Sequence, residues 1–249
     1  MPIDHQNRLA VVTGGANGIG FEIVKTLAED GADIAILDLV DTSEAVKAVE
    51  GLGRRAAGFE CDVTDVDSVA AASKAVAEQL GTASILVNNV GIYPYTSFAE
   101  TDLALWRKVM AINLDSAFIV SKAFVPGMCE QRWGRIINIS SNTVHGGDYP
   151  NYVHYITSKA GVIGFTRSLA SELGPDEITV NGIAPGLTQT KNMSENRPAD
   201  VFDEVAQTQS IKRPQQPTDV AGAVSFLASE SAGFITGQTI PVDGGFARV

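Results

Sequence analysis

A chain of 249 residues, 45% hydrophobic and 19% charged, carries enough apolar surface for one large α/β domain and hides roughly three-quarters of its unfolded surface without covalent staples. Its net charge of −11 excludes the basic face that a nucleic-acid partner requires. Cys61 and Cys129 make no disulfide framework, the start MPIDHQNRLA lacks a basic region followed by an apolar run, and no stretch of about 18 apolar residues predicts a membrane span, so the expectation is a cytoplasmic protein with free thiols.

In chain order, LAVVT (Leu9 to Thr13) reads as a buried strand, and Ile19, Ile23, Val24 and Leu27 recur at helical spacing from Gly18 to about Asp30, with Gly31 as the stop. IAILD (Ile34 to Asp38) is a second strand, followed by a helical segment from Ser43 to about Leu52 that ends at Gly53. RAAGFEC (Arg55 to Cys61) is a third strand, and Asp65 caps a helix running to about Leu80, before Gly81. SILVNN (Ser84 to Asn89) is a fourth strand, and a long helical region covers about Asp102 to Arg132. RIINIS (Arg135 to Ser140) precedes a helix from about Tyr152 to Leu173, and ITVNGI (Ile178 to Ile183) is the sixth strand. A helix from Thr218 to about Ser229 and the segment TIPVDGG close the pattern.

Strands this apolar, alternating with helices, predict a single-domain, doubly wound, Rossmann-like parallel sheet covered by helices on both faces, with the ligand crevice at the carboxyl ends of its strands. No linker, repeat or low-complexity tract divides residues 1–249. The polar stretch from Leu187 to Pro217 is long for a connection and is expected to be a lid over the site.

TGGANGIG (Thr13 to Gly20) lies where a phosphate cradle belongs. Gly14 permits the tight turn, Gly18 lets the backbone approach a pyrophosphate, and Gly20 allows close helix packing. Asp38, at the end of the second strand, suits the hydroxyls of an adenosine ribose and repels a 2′-phosphate. Asn17 and Leu39 offer no cation for such a phosphate, so the expected cofactor is NAD rather than NADP. Tyr155 and Lys159 share a helix face, and an ammonium beside a phenol favours the phenolate. Ser141 follows the fifth strand at the edge where the site opens, and its hydroxyl can hold a substrate oxygen.

TGGANGIG, Asp38, CDV (Cys61 to Val63), NNVG (Asn88 to Gly91), INL (Ile112 to Leu114), INISS (Ile137 to Ser141), YITSK (Tyr155 to Lys159), NGIAPG (Asn181 to Gly186) and VDGG (Val242 to Gly245) together resemble the short-chain dehydrogenase/reductase family, from Leu9 to the carboxyl terminus. The resemblance implies a Ser141–Tyr155–Lys159–Asn113 tetrad acting on an alcohol or ketone, with Asn113 positioning a relay water and Lys159 also binding the nicotinamide ribose. It further implies a cofactor site made of Gly14, Asn17, Gly18, Ile19, Gly20, Asp38, Leu39, Asp62, Val63, Asn89, Gly91, Tyr155, Lys159, Ile183, Pro185, Gly186 and Thr188, with Asn88 steadying the sheet. The family's usual NNAG is NNVG here, and the stretch between Ser141 and Tyr155 is one residue longer than common, which leaves Ser140 as an alternative to Ser141. Within the family, NNVGIYP, KAFVPGM, WGRIINISS, HYITSKAGVIGFTR and FITGQT resemble aryl secondary-alcohol dehydrogenases of the 1-phenylethanol dehydrogenase type, while SNT and GVIGFTR also resemble pyridoxal 4-dehydrogenase. A 3-oxoacyl thioester reductase is the alternative, and a non-enzymatic NAD-binding module ranks below both. The resemblance also implies a homotetramer, with no metal. Among the histidines, His5 falls on a loose terminus and His154 on a helix flank. His145 is a candidate to line a substrate pocket with Tyr93, Tyr149 and Tyr152.

Overall fold

The computed structural model describes residues 3–196, 198 and 200–248. In chain order its regular elements are β1 (Leu9–Thr13), α1 (Gly18–Glu29), β2 (Asp33–Asp38), α2 (Ser43–Gly51), β3 (Ala56–Glu60), α3 (Val66–Gln79), β4 (Ile85–Asn88), α4 (Leu103–Met110), α5 (Ser116–Gln131), β5 (Gly134–Ile139), α6 (Val153–Leu173), β6 (Ile178–Pro185), α7 (Lys191–Asn196), α8 (Asp200–Thr208), α9 (Pro217–Ala228) and β7 (Thr239–Val242). The strands form one parallel sheet in the order β3-β2-β1-β4-β5-β6-β7. The order reverses between β1 and β4, which opens the crevice above the carboxyl ends of those two strands.

Burial explains the continuous apolar runs. The strands β1, β4, β5 and β6 are buried along their whole length, whereas the edge strands β3 and β7 are mostly half-exposed. Successive side chains point to opposite faces. Ala10 and Val12 join Ile23 and Leu27 of α1 and Val220 and Val224 of α9 on one side. Leu9 and Val11 join Val69 and Val76 of α3 and Val120 and Phe124 of α5 on the other.

Three features depart from the sequence expectations. The long helix predicted from Asp102 to Arg132 contains a π-helical turn at Ala111–Asp115, between α4 and α5. Such turns occur where a side chain inside a helix is needed at a site, and this one carries Asn113. The whole segment Leu103–Gln131 is long and apolar enough to cross a membrane by length and composition. Here Val120, Phe124 and Met128 are buried against the sheet layer instead. His5, expected on a loose end, is buried, and its Nε2 lies 2.9 Å from the Ser225 hydroxyl, which in turn donates to Asp30. That chain ties the amino-terminal segment to α1 and α9. His154 is likewise fully buried rather than on a flank.

The segment from Leu187 to Pro217 contains α7 and α8. Phe202 and Ala206 of α8 are buried, so it is a packed excursion rather than a purely solvated loop. Its two ends are tied together: Thr188 bridges Gln215, the Gln189 N–H donates to the Gln215 carbonyl, and the Gln216 amide donates to Gln189.

Candidate active site

The glycine turn is shaped by close approach. A Cβ on Gly20 would collide with the Gly14 carbonyl and sit 2.6 Å from Asn89 Nδ2, and Gly14 and Gly18 both have positive φ. Asn89 donates to the Thr13 and Gly14 carbonyls, while its own N–H donates to the Thr13 hydroxyl. These bonds lock the turn to the end of β4. Asn17 provides no side-chain cap to α1, so the first-turn N–H groups face the turn without a side-chain acceptor. Ile19 lies in that first turn. Asp38 accepts from the Ala16 N–H, 3.1 Å away, which holds its carboxylate at the rim of the turn. Leu39 beside it is exposed.

The other expected cofactor residues lie at or just after the carboxyl ends of β3 and β6. Asp62 accepts from the N–H and hydroxyl of Thr64, which hold its carboxyl below the usual range, and Val63 is buried. Pro185 ends β6, next to the buried Ile183; the Gly186 N–H donates to the Val242 carbonyl, and the Thr188 hydroxyl donates to the Gly186 carbonyl. Three residues not singled out from the sequence belong to this frame. A Cβ on Gly15 would press on Ile36 and Val24, the Thr13 hydroxyl accepts from Asn89, and Thr190 at the start of the lid lies against Gly18. The glycine density of the turn signalled the first; the others needed the tertiary fold.

Tyr155, Ser141 and Lys159 converge at the end of β5. The Ser141 hydroxyl accepts from the Thr143 N–H and hydroxyl and meets the Tyr155 phenol. Ser140, the alternative, donates to the Lys159 carbonyl and so anchors the α6 backbone. Lys159 is buried, and its Nζ donates to the Ile139 carbonyl at 2.8 Å. Burial pushes the ammonium down to about 8 and the phenol up to about 12. The expected lowering of the phenol by Lys159 is therefore not met in this arrangement. The phenol is enclosed by protein, the lysine is engaged with Ile139, and Tyr93 and Tyr152 oppose a negative charge there.

Asn113, projecting from the π-turn, is buried; its amide brackets Ile92 through both backbone groups and donates to the Ser158 hydroxyl. Its side-chain hydrogen bonds thus tie the loop after β4 to α6. Gly91, next along that loop, is closely approached: a Cβ would lie 3.1 Å from Lys159 Nζ, which would have to give way by a few tenths of an ångström, and 3.5 Å from Asn113 Oδ1. Asn88 donates to Ser121 and Asn138, and Asn138 donates to Thr166, a buried network across β4, β5, α5 and α6.

A cleft of about 790 Å³ opens beside this group, bounded by Gly91, Tyr93 and Tyr152 near the reactive end and by Asn192 and Met193 of α7 on the lid side. Tyr93 and Tyr152 meet Tyr155 edge to face, with ring centroids 6.3 and 6.0 Å apart. Two of the four candidate pocket residues are therefore in place. Tyr149 packs instead over Gly147, its phenol raised by burial and by Asp243, and His145 ends the short turn after Ser141; neither lines the cleft.

Comparison with known proteins agrees with this geometry. Residues 14–247 match a family profile described as enoyl-(acyl carrier protein) reductase. The chain is 41% identical over 242 residues to nodulation protein G of Azospirillum brasilense, covering 96% of this chain and 97% of that one. It is 39% identical to cis-4-hydroxycyclohexanecarboxylate dehydrogenase of Sinomonas cyclohexanicum, covering 97% of each. Its fold superposes with a TM-score of 0.89 and 29% identity on carveol dehydrogenase from Mycobacterium avium in complex with NAD, covering 97% of this chain and 98% of that one. The chain belongs to the short-chain dehydrogenase/reductase family of oxidoreductases acting on CH–OH groups.

Proposed function

We propose that this enzyme interconverts a secondary alcohol, aryl or otherwise hydrophobic, and its ketone with NAD as cofactor. The observation that carries the reading is the convergence of the Ser141 hydroxyl, the Tyr155 phenol and Lys159 beneath Gly91, at the mouth of an aromatic cleft.

The residues fit a dinucleotide. The uncapped amino terminus of α1 and the Gly14–Gly20 cradle would hold the pyrophosphate, Asp38 the adenosine ribose, and Asp62 and Val63 the adenine. Asn89, Gly91, Pro185, Gly186 and Thr188 would flank the nicotinamide end. The bound nicotinamide supplies the hydride acceptor, or the donor in the reverse direction.

Ser141 holds the substrate oxygen, and Tyr155 takes its proton as the carbinol carbon is oxidised. Lys159 supplies the positive charge that a phenolate needs, once its ammonium is drawn from Ile139 toward the phenol and the ribose. Asn113 positions the relay water that carries the proton outward. Asp38 favours NAD over NADP, and so favours this reading over an acyl-thioester reductase dependent on the phosphorylated cofactor. The segment 187–217 acts as the lid, hinged at the Thr188–Gln215 bridge. The reading includes a cytoplasmic homotetramer, supported by the unpaired Cys61 and Cys129 and by exposed Phe118, Phe226 and Phe234.

Replacing Tyr155 by Phe tests the mechanism. Turnover of 1-phenylethanol, followed at 340 nm, falls at least about a thousandfold while NAD affinity stays within a few-fold. Retained activity would sink the assignment.

A further inference from the structure

The lining of the substrate cleft is uncharged except at one position. Tyr93, Tyr95, Tyr152, Leu105 and Met193 give it an aromatic and aliphatic wall, and Lys108 is its one charged residue among those described. The protein as a whole carries a net charge of −11, so among the described cleft residues Lys108 is the group that attracts an anion. Lys108 lies in the last turn of α4, where a cation commonly offsets the carbonyl end of a helix. That explanation is weak here, because the helix continues through the π-turn into α5 and leaves no free carbonyl end. No ion pair or hydrogen bond of the Lys108 ammonium occurs among the described residues. Leu105 and Lys108 are three residues apart and share one helix face, toward the cleft.

We infer that Lys108 is a specificity residue that reads a carboxylate at the far end of the substrate, so that the substrate class is a ring-bearing secondary alcohol or ketone carrying an acid group opposite the carbinol. This rests on the alcohol oxidoreductase reading above. Lys108 lines the same cleft as Tyr93 and Tyr152, whose rings meet Tyr155 edge to face with centroids 6.3 and 6.0 Å away. A ring-bearing substrate held by Ser141 and Tyr155 at its carbinol end would lay its ring against those tyrosine edges and present its carboxylate to the ammonium.

The test pairs 4-(1-hydroxyethyl)benzoate with 1-phenylethanol, and their ketones 4-acetylbenzoate and acetophenone. With NAD bound, calorimetry on the wild type shows about fivefold tighter binding of 4-acetylbenzoate than of acetophenone. Lys108→Ala removes that preference, and Lys108→Arg keeps most of it. In turnover, Lys108→Ala raises KM for the acid alcohol about 2- to 5-fold with kcat unchanged, and shifts KM for 1-phenylethanol by less; the size is that of an exposed charge pair. Loss of the wild-type preference in 0.5 M salt would accord with the same origin. Equal binding of the two ketones by the wild type, or an equal effect of Lys108→Ala on both, overturns the inference. A binding preference that vanishes in Lys108→Ala, without turnover of either alcohol, supports the role of Lys108 and overturns the alcohol oxidoreductase reading instead.

Discussion

Replacing Lys159 by Met should stabilise the protein while disabling it. The wild-type ammonium is buried and pushed down to about 8, from 10.5 in the unfolded chain. At neutral pH the fold therefore bears the cost of a desolvated charge, about 3 kcal/mol at 1.36 kcal/mol per pKa unit. Methionine removes that cost and matches the volume, but it leaves the Ile139 carbonyl without the lysine's hydrogen bond, a loss of about 1 kcal/mol. The net gain is about 2 kcal/mol at pH 7. Because the folded pKa lies below the unfolded one, the unfolded chain binds more protons between pH 8 and 10.5. Wild-type stability accordingly rises through that window relative to the variant, whose residue does not titrate. Urea unfolding of both proteins at pH 7 and at pH 10 measures this. The advantage of Lys159→Met should shrink by most of its value at the higher pH, while alcohol oxidation at pH 7 falls by two orders of magnitude or more. A variant less stable than wild type at pH 7, by an amount independent of pH, would refute the account of a strained buried ammonium.

Three further outcomes follow from the geometry. Asp38→Ser removes the carboxylate at the rim of the glycine turn and should move the NADP-to-NAD ratio of kcat/KM upward at least about tenfold, the size of one lost charge repulsion; an unchanged ratio would remove Asp38 as the selector. Gly91→Ala sets a methyl group 3.1 Å from Lys159 Nζ and should cut kcat about 10- to 100-fold with the fold intact by circular dichroism. His5→Ala should cost about 2 kcal/mol at pH 7 by breaking the buried bond to Ser225. Burial lowers the His5 pKa below 6.5, so the wild type loses stability as pH falls through 6.5, and the variant should lose less. Thermal unfolding at pH 7 and pH 5 reads both effects.

Much of the fold was legible in the sequence because its signals are local. An apolar run buried on both faces looks the same in any parallel sheet, and a glycine that must let Gly14 approach the α1 backbone announces itself as TGGANGIG. Tyr155 and Lys159 share a face by helix spacing alone, and Asp65 caps α3 as its position predicts. The quantities that depend on what lies across the fold were not legible. Periodicity alone gave no sign of the π-turn, because Asn113 is set there by hydrogen bonds to Ile92 and Ser158, residues 21 and 45 positions away. His5 looked terminal and is core, since its partner is 220 residues distant.

The electrostatics reversed for the same reason. Helix spacing brings an ammonium near a phenol, but the Ile139 carbonyl and the enclosing layers decide that burial dominates both groups. Likewise, nothing in the local pattern around Lys108 places it on the cleft; the tertiary fold, which sets it on one cleft with Asn192 and Met193 of α7, does that. The sequence by itself determined the parallel α/β sheet, the glycine turn after β1 and the shared helix face of Tyr155 and Lys159, all of which rest on local patterns. Only the tertiary structure decided the protonation balance of that set and which residues line the substrate cleft, because desolvation and contact are properties of groups brought together from distant parts of the chain.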